Sequence, residues 1–188
     1  MLGAIVLVGG ASSRMGEDKA RLAWNGLGAV ERLARVAGGL GADVVITAGR
    51  GEFGFPRVDD LPNGNGGPVP GILAGLIELT ARGCSRALVL AVDAPTVSEE
   101  DLRPLVEVAP PGAAYQGLHL PFFVHLPCAA PPVLKSVHDL ITLARLARPP
   151  APRGAAERLR GANTPPERAR LLRALIRLER EQNSLDNG

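Results

Sequence analysis

Apolar residues fall along this chain in two rhythms. Residues 4–8 (AIVLV) and 87–92 (ALVLAV) are unbroken apolar runs of strand length, closed by Gly9 and Asp93, and predict buried strands. The β-branched run 43–48 (DVVITA) predicts another, and 55–58, 113–116 and 120–125 are shorter candidates. Elsewhere the spacing changes to three and four. Leu27, Val30, Leu33, Ala34 and Ala37 predict a helix over 27–40, stopped by Gly38, Gly39 and Gly41. Residues 68–81 form a second helix with a Pro-containing entry. Ser98, with Asp101 three residues on, is a capping box that opens a helix over 99–108. Residues 131–146 are helical in part, and 165–182 form the last helix, started by Thr164-Pro165. Residues 59–67 are turn-rich, and 149–154 are a Pro-rich break.

Strands alternating with helices predict an α/β fold with a mostly parallel sheet covered on both faces. Such sheets bind ligands beyond the carboxyl ends of their strands. The loop after Val8 and Asp93 after Val92 both fall at such ends, which puts them in one candidate site although they are far apart in sequence. There is no internal repeat. Too little chain follows 149–154 for a second domain, so residues 1–188 are expected to be one domain.

Composition narrows the class. The chain is 46% hydrophobic and 3% aromatic, so its core must be built from Ala, Val, Leu and Ile. Net charge is +2, too balanced to argue for nucleic acid as a partner. The Arg-rich stretch 145–180 reads as a solvated helix face. Cys84 and Cys128 lack metal-type spacing and read as small buried hydrophobes; reduced thiols suit a cytoplasmic protein. The N-terminal run reads as a strand, not a secretion signal, and no apolar run reaches membrane-spanning length. His119, His125 and His138 are scattered without metal-ligand spacing, and Ser12 and Ser13 have no recognisable base partner.

The most informative chemistry lies in residues 7–20, LVGGASSRMGEDKA. Gly9 and Gly10 have no Cβ, so a phosphate can approach the backbone N–H groups there. Ser12 and Ser13 add hydroxyls, and Arg14 and Lys19 add two cations. Two common phosphate loops do not fit. The P-loop places Lys and then Ser or Thr directly after its second Gly, whereas Lys19 stands apart from Gly16 and precedes Ala20. Gly9, Gly10 and Gly16 also lack the spacing of the dinucleotide fingerprint.

The string LVGGASSRMGEDKARL instead resembles the signature LAGGxSxRMGxDKxxL of the MobA-like nucleotidyltransferases. It matches at Leu7, Gly9, Gly10, Ser12, Arg14, Met15, Gly16, Asp18, Lys19 and Leu22, with Val8 a mild departure. The type member of that family joins GMP to molybdopterin. The resemblance implies a three-layer α/β/α fold with a Rossmann-like sheet of the nucleotide-diphospho-sugar transferase type. It implies that the loop wraps a nucleotide's phosphates, with Arg14, Lys19 and Asp93 in catalytic roles. Nucleotide contacts are then expected from Leu7, Val8, Gly9, Gly10, Ser12, Lys19, Thr47, Asp60, Gly67 and Asp93.

Three further strings extend the likeness. LAVDAP matches the family's CDxP at Asp93 and Pro95, with Val92 in place of Cys. The resemblance implies that Asp93 binds Mg²⁺; read alone, it is a strand-ending carboxylate or a helix cap. Asp60 followed by Gly67, Pro68, Val69, Pro70 and Gly71 is similar to the family's Asp and GPLAG, although Asp60 alone reads equally as a polar turn residue. GANTPPE is similar to NxNTPE at Asn163, Thr164 and Pro165, with Gly161 in place of the first Asn. Asn163 is expected at the metal or phosphate region, and Thr164 also suits a helix cap.

The departures cluster on one side. Thr47 stands where the guanylyltransferases commonly have Asn, and Leu120-Pro121-Phe122 loses a polar side chain unless His119 substitutes. The phosphate half is intact, and the base and acceptor half is altered. The expected activity is transfer of NMP from an NTP, GTP favoured, to a phosphorylated acceptor such as molybdopterin, with Mg²⁺ as cofactor and contacts with other cofactor-biosynthesis proteins. CTP or another acceptor, or a nucleotide-binding module without catalysis, are the alternatives.

Overall fold

The computed structural model describes residues 1–8, 19–62, 67–128 and 134–186. Its centre is β1 (Leu2–Leu7), buried along its whole length, as a near-continuous apolar run requires of a strand covered on both faces. Two parallel neighbours flank it. They are β4 (Ala42–Ala48), in register Leu7↔Ala48, and β6 (Arg86–Ala91), in register Leu7↔Ala91. With β5 (Arg57–Val58), β7 (Gly112–Ala114) and β8 (Phe122–His125) they make a six-stranded sheet in the order β5-β4-β1-β6-β8-β7. β8 runs antiparallel to both its neighbours, so the sheet is mostly parallel.

Alternation along β1 divides the core in two. Ala4 and Val6 face a cluster that includes Val30 and Leu33 of α1 (Ala29–Gly39), Leu102 and Leu105 of α3 (Glu99–Val106), Leu159 of α5 (Ala156–Arg160) and Leu171 of α6 (Pro165–Asp186). Ile5 and Leu7 face Ile72 and Leu79 of α2 (Val69–Ala81) and Leu140 and Ile141 of α4 (Val137–Leu143). These are the three layers. Each fully buried Leu, Ile or Val contributes about 1.5–3 kcal/mol, which is how a chain poor in aromatics still holds a core.

Three differences from the sequence-based expectation have physical causes. The helix expected over 27–40 begins at Ala29, because Leu27–Gly28 is β3, paired antiparallel with β2 (Ala23–Trp24). The turn is Asn25-Gly26, both at positive φ (50° and 84°), a pair that closes two-residue hairpins. α5 was not expected at all. The helix expected over 131–146 is α4, beginning at Val137 behind the Ser136 cap; part of the expected span, 131–133, lies outside the described residues. Among the described residues no helix is long and apolar enough to cross a membrane.

Candidate functional site

The carboxyl edge of the four parallel strands holds most of the candidate residues. The chain leaves β1 at Val8, whose N–H donates to Ala48 O (2.9 Å), while Val92 N–H donates to Leu7 O (3.2 Å). The turn carrying Asp93 therefore leaves β6 level with the exit from β1, one strand spacing or about 5 Å to the side. Leu7 and Val8 themselves are buried on opposite faces of the sheet, so they offer a ligand their backbone and not their side chains.

Asp93 is half-buried in the turn after β6. Its carbonyl accepts from Ala162 N–H at 2.7 Å. That bond lays the segment GANTPP across the turn. Gly161 makes the contact feasible: it sits at φ 70°, ψ −166°, a region almost restricted to glycine, and a Cβ there would stand 2.0 Å from Asp93 O. The departure from Asn at Gly161 thus has a steric basis. Immediately after it, Thr164 and Glu167 form a reciprocal cap on α6. One Glu167 carboxylate oxygen accepts from Asn163 N–H (2.8 Å) and Thr164 N–H (3.0 Å), and Thr164 Oγ1 accepts from Glu167 N–H (3.4 Å). The bond from Asn163, joined by those from Thr164, holds the Glu167 carboxyl below its ordinary pKa. The Asp93 and Asn163 segments are thereby joined by a backbone bond, and their side chains carry a carboxylate and an amide. Oxygen donors of this kind suit a hard divalent ion that keeps several waters. Among the described residues no group of three or more His, Cys, Asp and Glu forms a metal cage.

The segment is fixed from behind by a buried ion pair. Arg158 of α5 donates Nε–H and Nη2–H to the two Asp101 oxygens at 2.7 and 2.6 Å. Asp101, 3% exposed at its side chain, is also the capping-box partner of Ser98 on α3. The hydrogen bond to Asp101 raises the Arg158 pKa above its ordinary value. The Tyr115 hydroxyl donates to the Asp101 carbonyl, and burial, then the Asp101 charge, pushes its pKa up to about 12. The residues after Arg158, Leu159 and Arg160, help to line a cavity of about 250 Å³ against the Asp93 turn. Its polar lining comes from Asp93, His119 and Arg160, and its walls are apolar, with Leu90, Val97 and Leu120 among them. His119 makes an edge-to-face contact with His138 of α4 (ring centroids 5.7 Å apart), and Arg148 donates to Leu118 O at 2.8 Å.

The other flank of the edge carries Asp60, just beyond β5. One carboxylate oxygen lies 2.8 Å from where a Gly71 Cβ would stand, so the last Gly of GPVPG leaves room for that carboxylate in the first turn of α2. The same Gly71 position packs on Ala48 at the end of β4, so the Asp60 carboxylate stands on the β4 side of the edge, across β1 from the Asp93 turn. The two acids lie on either side of β1 at the same edge. Gly67, exposed at φ 76°, leads into α2.

The family model of the MobA-like NTP transferase domain matches residues 4–160. The chain belongs to this family. It is 36% identical over 122 residues to the molybdenum cofactor guanylyltransferase of Acidiphilium cryptum, covering 62% of each chain. It is 35% identical over 111 residues to a probable molybdenum cofactor guanylyltransferase of Bacillus cereus, covering 55% of this chain and 54% of that one. The match thus spans roughly half to three fifths of the length of these relatives. Two solved structures show the same fold. A nucleotidyl transferase from Methanothermobacter superposes with TM-score 0.69 at 20% identity, over 95% of this chain and 99% of that chain. A molybdopterin-guanine dinucleotide biosynthesis protein A from Archaeoglobus fulgidus superposes with TM-score 0.64 at 17% identity, over 93% and 99%. The fold is that of the nucleotide-diphospho-sugar transferases, as the resemblance implies.

Of the residues that the MobA-like signature singles out, Gly9, Gly10, Ser12 and Arg14 lie outside the described residues, and Lys19 is described only as the start of a 3-10 turn, Lys19–Arg21. Asp93 and Asn163 are brought together and Asp60 is placed on the same edge. Thr47, expected as a nucleotide contact, lies next to the last residue of β4. It is fully buried, and its hydroxyl donates to Pro56 O (3.4 Å), so the side chain braces the loop after β4 and has no face to offer a ligand. Sequence reasoning missed Arg160. AAERLR has good helix formers bracketed by Gly154 and Gly161, which signals the helix α5 but no site on it.

Proposed function

We propose that this protein transfers a nucleoside monophosphate from an NTP, with GTP favoured, to a phosphorylated acceptor of the molybdopterin type. An acceptor phosphate oxygen attacks the α-phosphorus, a new P–O–P bridge forms, the bond to the β-phosphate breaks, and pyrophosphate leaves. No covalent enzyme intermediate is needed. Family membership and the names of the guanylyltransferase relatives support this reading. The observation that carries it is the Asp93 O to Ala162 N–H bond, which joins two of the family-like strings beside the exit from β1.

In this reading Asp93 and Asn163 hold a Mg²⁺ ion, whose bound charge neutralises phosphate oxygens. Arg14, Lys19 and the N–H groups of Gly9 and Gly10 stabilise the charge that develops on the departing pyrophosphate. Asp60 stands at the base end.

The experiment is a thermal-shift panel of four NTPs with and without Mg²⁺, followed by pyrophosphate release with molybdopterin. GTP should stabilise most, and Asp93→Ala should lose the Mg²⁺-dependent part of the shift. Lys19→Ala should lower kcat about 100-fold or more. Preferential stabilisation by CTP would reassign the base. Tight NTP binding without turnover on any acceptor would make the protein a nucleotide-binding module.

A further inference from the structure

The cavity beside Asp93 has a split character that the nucleotide reading does not use. Its walls are apolar, and its polar lining is one carboxylate and two groups able to donate to an anion, Arg160 and His119. More donors stand just behind. His138 rests edge-on against His119, and Arg148 grips the Leu118 carbonyl next to it. Arg160 is not on a loose tail. It lies two positions after Arg158 of the Arg158–Asp101 clamp, and it directly precedes Gly161, which is pressed on the Asp93 carbonyl. A guanidinium delivered by a pinned backbone is suited to bidentate recognition of phosphate.

We propose that Arg160 and His119 hold the phosphate of the acceptor and so set which acceptors this chain accepts. This rests on the nucleotidyl-transfer reading for its place in the reaction. The class of acceptor follows from the lining: a phosphomonoester whose adjoining framework is a compact apolar or ring structure. At about 250 Å³ the cavity is smaller than the ~300–1,000 Å³ of whole-ligand pockets, so it takes the phosphate-bearing end and leaves the rest outside. The polar side chain missing from Leu120-Pro121-Phe122 is then supplied by His119 from one side and Arg160 from the other. Phe122 itself is a core residue, 1% exposed, and is unavailable.

Phenyl phosphate, a phosphomonoester on an apolar ring, is the probe. It is titrated into the whole protein without nucleotide and followed by phosphorus NMR. The wild-type protein should bind it, and Arg173→Ala, an exposed change on α6, should bind it equally well. Arg160→Met should weaken binding about tenfold, the loss of a hydrogen bond to a charged group. Arg160→Lys should recover part of that loss, which a merely structural role for Arg160 would not predict. His119→Ala should also weaken binding about tenfold, since its bond goes to the same charged phosphate. Equal binding by wild type and Arg160→Met overturns the proposal, and so does absence of binding to the wild type. Thermal shifts with Mg²⁺ and GTP on the same proteins separate the two readings. A wild type that ignores every NTP, yet binds phenyl phosphate through Arg160, upholds the anion site and fails nucleotidyl transfer alone.

Discussion

The two flanks of the sheet's carboxyl edge are built in different ways. On the β5-β4-β1 flank, α1 carries the crossover from β1 to β4 and a short loop joins β4 to β5, while α2 crosses from β5 to β6. Two of its ion pairs, Arg57–Asp59 and Arg82–Glu78, are short-range and exposed, and Arg32 of α1 is the long-range exception, reaching Glu179 of α6 at 2.8 Å. Exposed pairs contribute about 0–1 kcal/mol. On the β6-β8-β7 flank, distant segments are stitched together by polar contacts. Arg158 reaches Asp101 across 57 positions, Arg148 reaches Leu118 across 30, and Ala162 reaches Asp93. The first flank tolerates loss of any one side-chain contact. The second is a set of seams at which one substitution can disconnect the candidate acceptor side from the sheet.

The largest test of that contrast is Gly161→Ala. The new Cβ would fall 2.0 Å from the Asp93 carbonyl oxygen, at a φ of 70° that L side chains resist. Backbone strain of about 1–3 kcal/mol adds to a similar overpacking cost, so urea denaturation should show a loss on the order of 3–4 kcal/mol. Gly67→Ala, also at positive φ but with no described residue within 4 Å of the new Cβ, should cost far less, about 1 kcal/mol. Equal losses at the two positions would erase the distinction between the flanks.

Arg158→Ala should come next, at about 3 kcal/mol, because it leaves the Asp101 carboxylate buried without its cation. The lower end of the range for such changes applies, since Asp101 keeps its bond from Ser98 N–H at 3.0 Å and lies in the first turn of α3. Arg82→Ala on α2 is the matching change on the other flank and should cost about 0.5 kcal/mol or less. Denaturation midpoints of the two variants, measured side by side, decide it.

The same contrast explains what was legible in the sequence. The apolar runs of β1 and β6 and the β-branched run of β4 announced the sheet, because burial on both faces leaves no polar alternation to confuse. Ser98 and Asp101 announced α3 through local hydrogen-bonding chemistry. Asp93 was placed correctly at the edge because strand ends follow from the apolar pattern. Nothing in a strand-ending ITAGR tells which face the Thr47 hydroxyl takes; here it turns inward to Pro56 O. Arg160 was invisible as a site residue for a different reason. Its importance depends on the Arg158–Asp101 pair and the Asp93–Ala162 bond, contacts between segments whose pairing no local pattern encodes. The Asn25-Gly26 hairpin was a local signal, lost because Leu27 also fits the helical spacing that follows.

Alkaline pH probes the seam through Tyr115, the single tyrosine. Burial, and then the Asp101 charge, raises its pKa to about 12, against about 10 in the unfolded chain. Between these values the folded state holds a proton that the unfolded state has released. Stability is therefore complete below about pH 10 and falls as pH rises toward 12, by on the order of 2 kcal/mol. Ultraviolet titration of the phenol in the folded protein should give the late midpoint directly. Tyr115→Phe should flatten the stability decline across that window, while a decline unchanged from wild type would assign it to other groups.

The smallest expected effect bears most directly on the metal side of the candidate site. Thr164→Ala removes the hydroxyl that accepts Glu167 N–H at the start of α6, a capping loss of about 1 kcal/mol. The Glu167 carboxylate would still hold Asn163 N–H and Thr164 N–H, so the segment crossing Asp93 should keep its path. Glu167→Gln is the sharper partner experiment, because it weakens those two bonds and leaves the hydroxyl in place. Since the folded pKa of Glu167 is depressed, the carboxylate's contribution is present above its ordinary value of 4.5 and is lost as pH falls below it. The mild acid destabilisation should therefore be present in Thr164→Ala and reduced in Glu167→Gln. If Mg²⁺-dependent GTP stabilisation falls in Glu167→Gln but survives in Thr164→Ala, the backbone of Asn163 is what the cap serves. Equal responses in both variants would make the cap an ordinary helix start, with Asp93 and its bond to Ala162 sufficient to organise that flank.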